Sequence, residues 1–253
     1  MTKGRLTVVG IGPGSALDMT QRARNAVILS DTVVGYTTYI KLVQDMVEGR
    51  EVISTGMMKE ADRCREAVKL AAQGRNVALI SSGDSGIYGM AGLVLEIMEE
   101  GWSRAEEIPF EFEVVPGVPA VCSSAASLGA PLMHDFAVIS LSDLLTPWEL
   151  IVKRLDAAAS ADFVISLYNP RSKGRPDYLG KARDIVMKHR PGTTPVGIVK
   201  DSRREGEKVT VTTLSDMPVE DVDMTTMVVI GNSQTRRFLD YILTPRGYKG
   251  KRI

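Results

Sequence analysis

Residues 5–14 read Arg-Leu-Thr-Val-Val-Gly-Ile-Gly-Pro-Gly, a β-branched run that stops at a turn too rich in glycine and proline to continue as strand or helix. Asp18 or Thr20 can then cap a helix reaching about Leu29. The chain therefore opens as strand, glycine loop, helix, and the order recurs. Asp31–Gly35 (DTVVG) reads as a second strand and Glu51–Ser54 as a weaker one. Over Lys59–Gln73, Ala61, Cys64, Ala67, Val68 and Ala71 fall at helical spacing, with Gly74 at the stop position. Asn76–Ser81 (NVALIS) is nearly all apolar, as a strand covered on both faces should be. Gly83-Asp84-Ser85-Gly86 follows it and leads into a helix from about Gly89 to Glu100. Phe112–Val115 then ends in Pro116-Gly117-Val118-Pro119. The pattern predicts an α/β layer whose glycine-containing loops leave the carboxyl ends of its strands, the edge where open α/β sheets bind ligands.

A second series starts near Pro119 with a small-residue helix (Ala120 to Leu128), a strand at Phe136–Leu141 and a helix through Trp148–Ala158. Further strands are expected at Phe163–Leu167, Pro195–Lys200, Lys208–Thr213 and Thr226–Ile230, with helices near Tyr178–His189 and Gln234–Leu243. Only Arg203–Glu207 separates two of these strands, which fits an antiparallel hairpin. These patterns predict two α/β domains, residues 1–117 and 118–253.

The 253 residues carry 31 basic and 31 acidic side chains, 44% hydrophobic residues and two cysteines, proportions of a globular chain that needs no disulfide or structural metal. Cys64 and Cys122 form no CxxC and the two histidines, His134 and His189, complete a poor ligand set, so no metal site is expected and a reducing cytoplasm is the expected compartment. Zero net charge disfavours nucleic acid as a partner. Val114 to Met133 lacks charge, but Pro116, Pro119 and Pro131 argue for buried loop and helix rather than a membrane span. The first residues lack the apolar core of a signal peptide.

Gly10-Ile11-Gly12-Pro13-Gly14-Ser15 departs from GxGxxG, because Ser15 stands where glycine is required and Pro13 removes an amide, so a nicotinamide-dependent oxidoreductase is a distant reading. No P-loop, GxSxG or HExxH is present. Asp84 either projects into a ligand cleft or caps the helix after it. His134-Asp135 is either an acid–base pair or a surface capping pair. Tyr168-Asn169-Pro170-Arg171-Ser172-Lys173 follows a strand and offers polar groups and two cations suited to a carboxylate-bearing ligand, or forms a solvated turn.

Val9 to Gly14, Ser82-Gly83-Asp84-Ser85, Val115-Pro116-Gly117-Val118 and Gly231-Asn232-Ser233, in that order, resemble the tetrapyrrole methylase family. Gly83 to Met90 (GDSGIYGM), Ser140 to Trp148 (SLSDLLTPW) and Leu167 to Lys173 (LYNPRSK) are similar to the branch of that family that methylates precorrin-3B at C-17 in cobalamin biosynthesis, with ring contraction to precorrin-4. Its cobalt-factor III counterpart in the anaerobic route is the near alternative. The resemblance implies S-adenosylmethionine held in a cleft between two α/β domains, a homodimer and a small-molecule tetrapyrrole substrate. By the same analogy, cofactor contacts fall on Pro13, Gly83, Asp84, Ser85, Ile87, Pro119 and Ala120 in the first half. Tyr168, Asn169 and Ser202 supply them in the second half. Asp84, Ser142 and Asp143 are the candidate catalytic residues, and Gly12, His134, Arg171 and Lys173 the candidate substrate contacts. Ser85 stands where the family often has proline.

Overall fold

The computed structural model describes residues 3–172 and 174–248, so Lys173 lies outside the described residues. The chain divides into two compact units, Met1–Ala120 and Val121–Ile253. In the first, β1 (Gly4–Gly10), β2 (Thr32–Tyr36), β3 (Glu51–Thr55), β4 (Asn76–Ser81) and β5 (Phe110–Val115) alternate with α1 (Gln21–Ile28), α2 (Thr37–Lys41), α3 (Glu60–Ala72) and α4 (Ala91–Gly101). The sheet order is β3-β2-β4-β1-β5 and every pairing is parallel. Helices cover both faces. Leu6, Val8, Val34, Cys64, Leu79 and Phe110 bury one side, and Val9, Val27, Val33 and Ile80 the other. Continuous burial from Leu6 to Gly10 and from Val77 to Ser81 explains the unbroken apolar runs. Thr20 ends the loop after β1 by accepting the Ala23 amide at 3.1 Å, which starts α1.

The second unit follows from α5 (Ala120–Leu128), whose first residue ends the first unit. It contains β6 (Gly129–Ala130), β7 (Phe136–Ser140), α6 (Trp148–Ser160), β8 (Val164–Tyr168), α7 (Tyr178–Val186), β9 (Pro195–Lys200), β10 (Lys208–Thr213) and β11 (Thr226–Ile230). The main sheet runs β10-β9-β11-β8-β7, parallel only between β7 and β8. With β11 antiparallel to both β8 and β9, the carboxyl ends of β7, β8 and β9 share one edge. Leu141, Ile151, Leu155, Leu167, Leu179 and Val228 are among its fully or almost fully buried core.

The helix expected near Gln234–Leu243 is instead a hairpin of β12 (Arg236–Phe238) and β13 (Tyr241–Leu243), with β13 pairing to β6. Asn232 and Thr235 close a tight turn before it, the Asn232 amide donating to Thr235 Oγ1 at 2.8 Å. Leu239 takes φ 53°, which turns β12 back at Phe238–Tyr241. Apolar residues at helical spacing were there, but only Ile242 of the hairpin strands is buried, so an amphipathic helix had no core to face. Among the described residues no helix is long and apolar enough to cross a membrane.

Candidate active site

Three neighbouring parallel strands, β4, β1 and β5, deliver the glycine loops to the same edge of the first unit. Gly12 and Gly83 bridge backbone to backbone, Gly12 N to Gly83 O at 3.0 Å and Gly83 N to Gly12 O at 2.7 Å. A Cβ on Gly117 would stand 2.1 Å from Gly83 O and 2.5 Å from Gly10 O, and one on Gly10 only 2.6 Å from Gly117 N. No side chain fits where these strands end. Gly12 and Gly83 also hold positive φ, 77° and 67°, a conformation glycine takes at no steric cost.

Asp84 locks this arrangement. Its Oδ1 accepts the Gly86 amide at 2.8 Å and its Oδ2 the Gly117 amide at 3.0 Å, so one carboxylate ties the loop after β4 to the turn after β5. Asp84 does not cap the helix after it, whose N-cap position is Met90 with no side-chain bond; its carboxylate is a clamp between two loops. Ser85 is fully buried and its hydroxyl has no hydrogen-bond partner among the described residues, while Ile87 and Tyr88 are exposed on the same loop. The space above Gly83 is bordered at van der Waals distance by Ala120 N, 3.6 Å from an added Cβ, and by Pro119 Cα at 3.9 Å. Pro13 is buried beside Gly12. Within residues 10–14, 83–90 and 115–119, Asp84 is the one charged side chain. Backbone dipoles and one carboxylate suit an adenosyl sulfonium, which brings its own positive charge.

In the second unit, side chains do the corresponding work. Tyr168 ends β8, and its hydroxyl accepts the Val121 amide at 3.1 Å in the first turn of α5. Asn169 holds φ 51° and donates through Nδ2 to Ser140 Oγ at 3.0 Å, the hydroxyl that also accepts the Ser142 amide at 3.2 Å. Ser202, just past β9, is buried and donates to Ser123 Oγ on α5 at 3.0 Å. Tyr168, Asn169 and Ser202 thus share one edge, with Ser142 and Asp143 beside them after β7.

Asp143 accepts from the Tyr178 hydroxyl at 2.6 Å and faces Arg175 at 3.5 Å, with Arg175 Nε donating to Ser172 Oγ. The bond to Asp143 raises the phenol's pKa, because a proton shared with a carboxylate is harder to remove. Tyr178 also stacks on Trp148 with ring centroids 4.2 Å apart. Trp148 closes the SLSDLLTPW motif read from sequence, but Tyr178 does not stand out there, since nothing in spacing reveals a phenol thirty-five residues from its acceptor.

The remaining candidates lie differently. Arg171 donates to the Glu220 carbonyl, which fixes part of its guanidinium. His134 sits half-buried in the bend before β7 and makes no hydrogen bond to Asp135, whose carbonyl receives the Val164 amide. The acid–base pairing considered for these two is not formed. Lys173 is outside the described residues. Cys64 is a core thiol that burial pushes up to about 11, and no cluster of metal-binding side chains occurs among the described residues.

Residues 5–218 match the family model of the tetrapyrrole (corrin/porphyrin) methylases. The chain belongs to that family. Among curated relatives, this methylase is 52% identical over 98% of its length to the "Cobalt-factor III methyltransferase" of Priestia megaterium, and spans 46% of that longer protein. It is 51% identical to the "Probable cobalt-factor III C(17)-methyltransferase" of Salmonella typhimurium, over 96% of this chain and 99% of the relative. It is 40% identical to the "Precorrin-3B C(17)-methyltransferase" of a Sinorhizobium species, over 98% of each. Among solved structures, the methyltransferase CobJ superposes with a TM-score of 0.88 at 36% identity, covering 96% of this chain and 100% of that one. The methyl donor of this family is S-adenosylmethionine.

Proposed function

We propose that this methylase transfers a methyl group from S-adenosylmethionine to C-17 of a tetrapyrrole on the route to cobalamin, with associated ring contraction. The carrying observation is the closure of Gly10, Gly12, Gly83 and Gly117 around Asp84 at one sheet edge, in a chain whose relatives are named for that reaction. When bound, S-adenosylmethionine supplies an activated methyl group, whose in-line transfer to carbon needs alignment more than acid or base. The chain's residues do the aligning. In the first unit, Pro13, Gly83, Pro119 and Ala120 offer close backbone approach, Asp84 holds the loops in register, and Ser85 and Ile87 are assigned contacts with the donor.

In the second unit, the donor's contacts are assigned to Tyr168, Asn169 and Ser202, each held by a side-chain bond of its own. In the contraction of precorrin-3B a hydroxyl gives up its proton as a ring carbon–carbon bond migrates and a carboxylate leaves with the displaced electron pair. Asp143 with neighbouring Ser142 is assigned to accept that proton, its carboxylate being held in place by Tyr178. Gly12, His134, Arg171 and Lys173 are assigned to the tetrapyrrole. A homodimer in the cytoplasm completes the proposal by family analogy.

The two relatives above 50% identity are both named for cobalt-factor III, and the one named for precorrin-3B is 40% identical. This ordering favours the cobalt-containing substrate. Incubation with S-adenosylmethionine and either cobalt-factor III or precorrin-3B without oxygen, read by mass spectrometry, tests it. A gain of one methyl on the cobalt form is expected. A gain on precorrin-3B alone reverses the order of the two substrates, and no gain on either defeats the proposal.

A further inference from the structure

Arg63, on α3, is a buried cation that the assignments above leave unused. It is 3% exposed, yet its contacts among the described residues are all with neutral groups. Nε donates to Thr55 Oγ1 at 2.8 Å, one terminal nitrogen donates to the Gly56 carbonyl at 3.0 Å, and the other lies 3.8 Å from Met90 Sδ. The ring of Tyr36 lies 5.8 Å from the guanidinium carbon. A guanidinium carries five N–H donors, and a thioether is a weak acceptor, so the group is left with hydrogen-bonding capacity and an unneutralised charge in a buried place. That is costly unless an anion arrives.

The location is informative. Tyr36 and Thr55 are the last residues of β2 and β3, and Met90 closes the loop that begins at Gly83. Arg63 therefore faces the carboxyl edge of the same parallel sheet that presents the glycine loops. Its cover is thin. Met57 and Met58 are 52% and 79% exposed, a Cβ on Gly56 would meet nothing within 4 Å, and Met58 holds φ 60°, a left-handed conformation uncommon for such a side chain. Shifting residues 56–58 costs no core packing and frees the nitrogen now bonded to Gly56.

We propose that Arg63 anchors a carboxylate of a ligand bound at this edge, replacing the Gly56 carbonyl with a charge-assisted pair. The inference rests on the methylase reading, which offers two sources: the acid side chains of a tetrapyrrole, and the amino-acid end of the cofactor. Calorimetry on folded wild-type and Arg63→Lys protein separates them, using cobalt-factor III, S-adenosylhomocysteine and its decarboxylated analogue. Lysine keeps the charge but loses the fork.

A tenfold or greater loss of cobalt-factor III affinity with S-adenosylhomocysteine unchanged supports the anchor and places it on the tetrapyrrole. A similar loss for S-adenosylhomocysteine but not for its decarboxylated analogue supports it and places it on the cofactor. Unchanged affinities for all three, or equal losses for all three, overturn it. Thr55→Val, which keeps the cation but removes the hydroxyl aiming Nε, should give a smaller loss of about threefold in the same ligand, and serves if Arg63→Lys does not fold. Wild-type protein that binds none of the ligands would overturn the methylase reading itself, a result distinct from intact wild-type binding with an indifferent Arg63.

Discussion

The strand-end edges that carry the candidate site residues in the two units are closed by opposite means. In the first, backbone meets backbone, and glycine is dictated by space: at Gly117 a single carbon would sit 2.1 Å from a carbonyl oxygen. In the second, side chains reach across, Tyr168 to Val121, Asn169 to Ser140, Tyr178 to Asp143 and Ser202 to Ser123. Where β4, β1 and β5 end, the loops approach so closely that only glycine fits between them. Where β7, β8 and β9 end, polar side chains span the loops. The first edge should therefore tolerate almost no added volume, and the second should respond to lost hydrogen bonds one at a time.

The largest effect is expected at Gly117. Gly117→Ala forces a methyl group into two carbonyls and should destabilise the fold by about 3 kcal/mol, read by denaturant unfolding of the purified chain. A loss below 0.5 kcal/mol, on the order of an ordinary surface change, would break the spatial argument. Next comes Asp84→Ala, which removes the bond within its own loop to Gly86 and the bond across to Gly117 and should cost roughly 2 kcal/mol, together with most of the affinity for S-adenosylhomocysteine. If that affinity persists in the folded variant, Asp84 is a strut with no part in the ligand edge.

Asp143→Asn sharpens the second half of the comparison. It keeps the shape but removes the charge beside Arg175, and should cost about 1 kcal/mol while methylation at C-17 continues and contraction slows. An unchanged product ratio would remove Asp143 from the chemistry. The smallest effect concerns Asp223, before β11. Burial raises its carboxyl, but bonds from Lys200, Thr225 and Thr226 outweigh this and hold it at about 2. A carboxyl depressed below its unfolded value of about 3.9 contributes stability above that pH and loses it as pH falls toward 2. Asp223→Asn should flatten the acid limb over that window by about 0.5 kcal/mol once solvent screening is allowed for. An acid limb identical to wild type would show that the pair with Lys200 contributes nothing.

The same contrast explains what could be read from the letters alone. β1 and β4 are legible as apolar runs leading into glycine loops because double-sided burial and steric exclusion write themselves into composition, and β5 is legible through the proline and glycine that follow it. α2 was not visible, being five residues long with no buried member. The β12–β13 hairpin reads as a helix because Phe238, Tyr241 and Ile242 repeat at helical spacing, whereas the pairing of Ile242 and Leu243 with Gly129 and Ala130 is non-local. At the site, Gly83, Asp84 and Tyr168 stood out through their motifs. Arg63 and Tyr178 sit in ordinary helical sequence, and their meaning lies wholly in what the fold sets beside them: a neutral, buried shell in one case and a carboxylate in the other.

Calorimetric titration of the wild-type chain with S-adenosylhomocysteine, and separately with NADH, tests the central claim most directly, because the glycine edge departs from the dinucleotide pattern at Pro13 and Ser15. Saturable one-site binding of S-adenosylhomocysteine with no heat from NADH is the expected result. Binding of NADH, or silence toward S-adenosylhomocysteine, would contradict it.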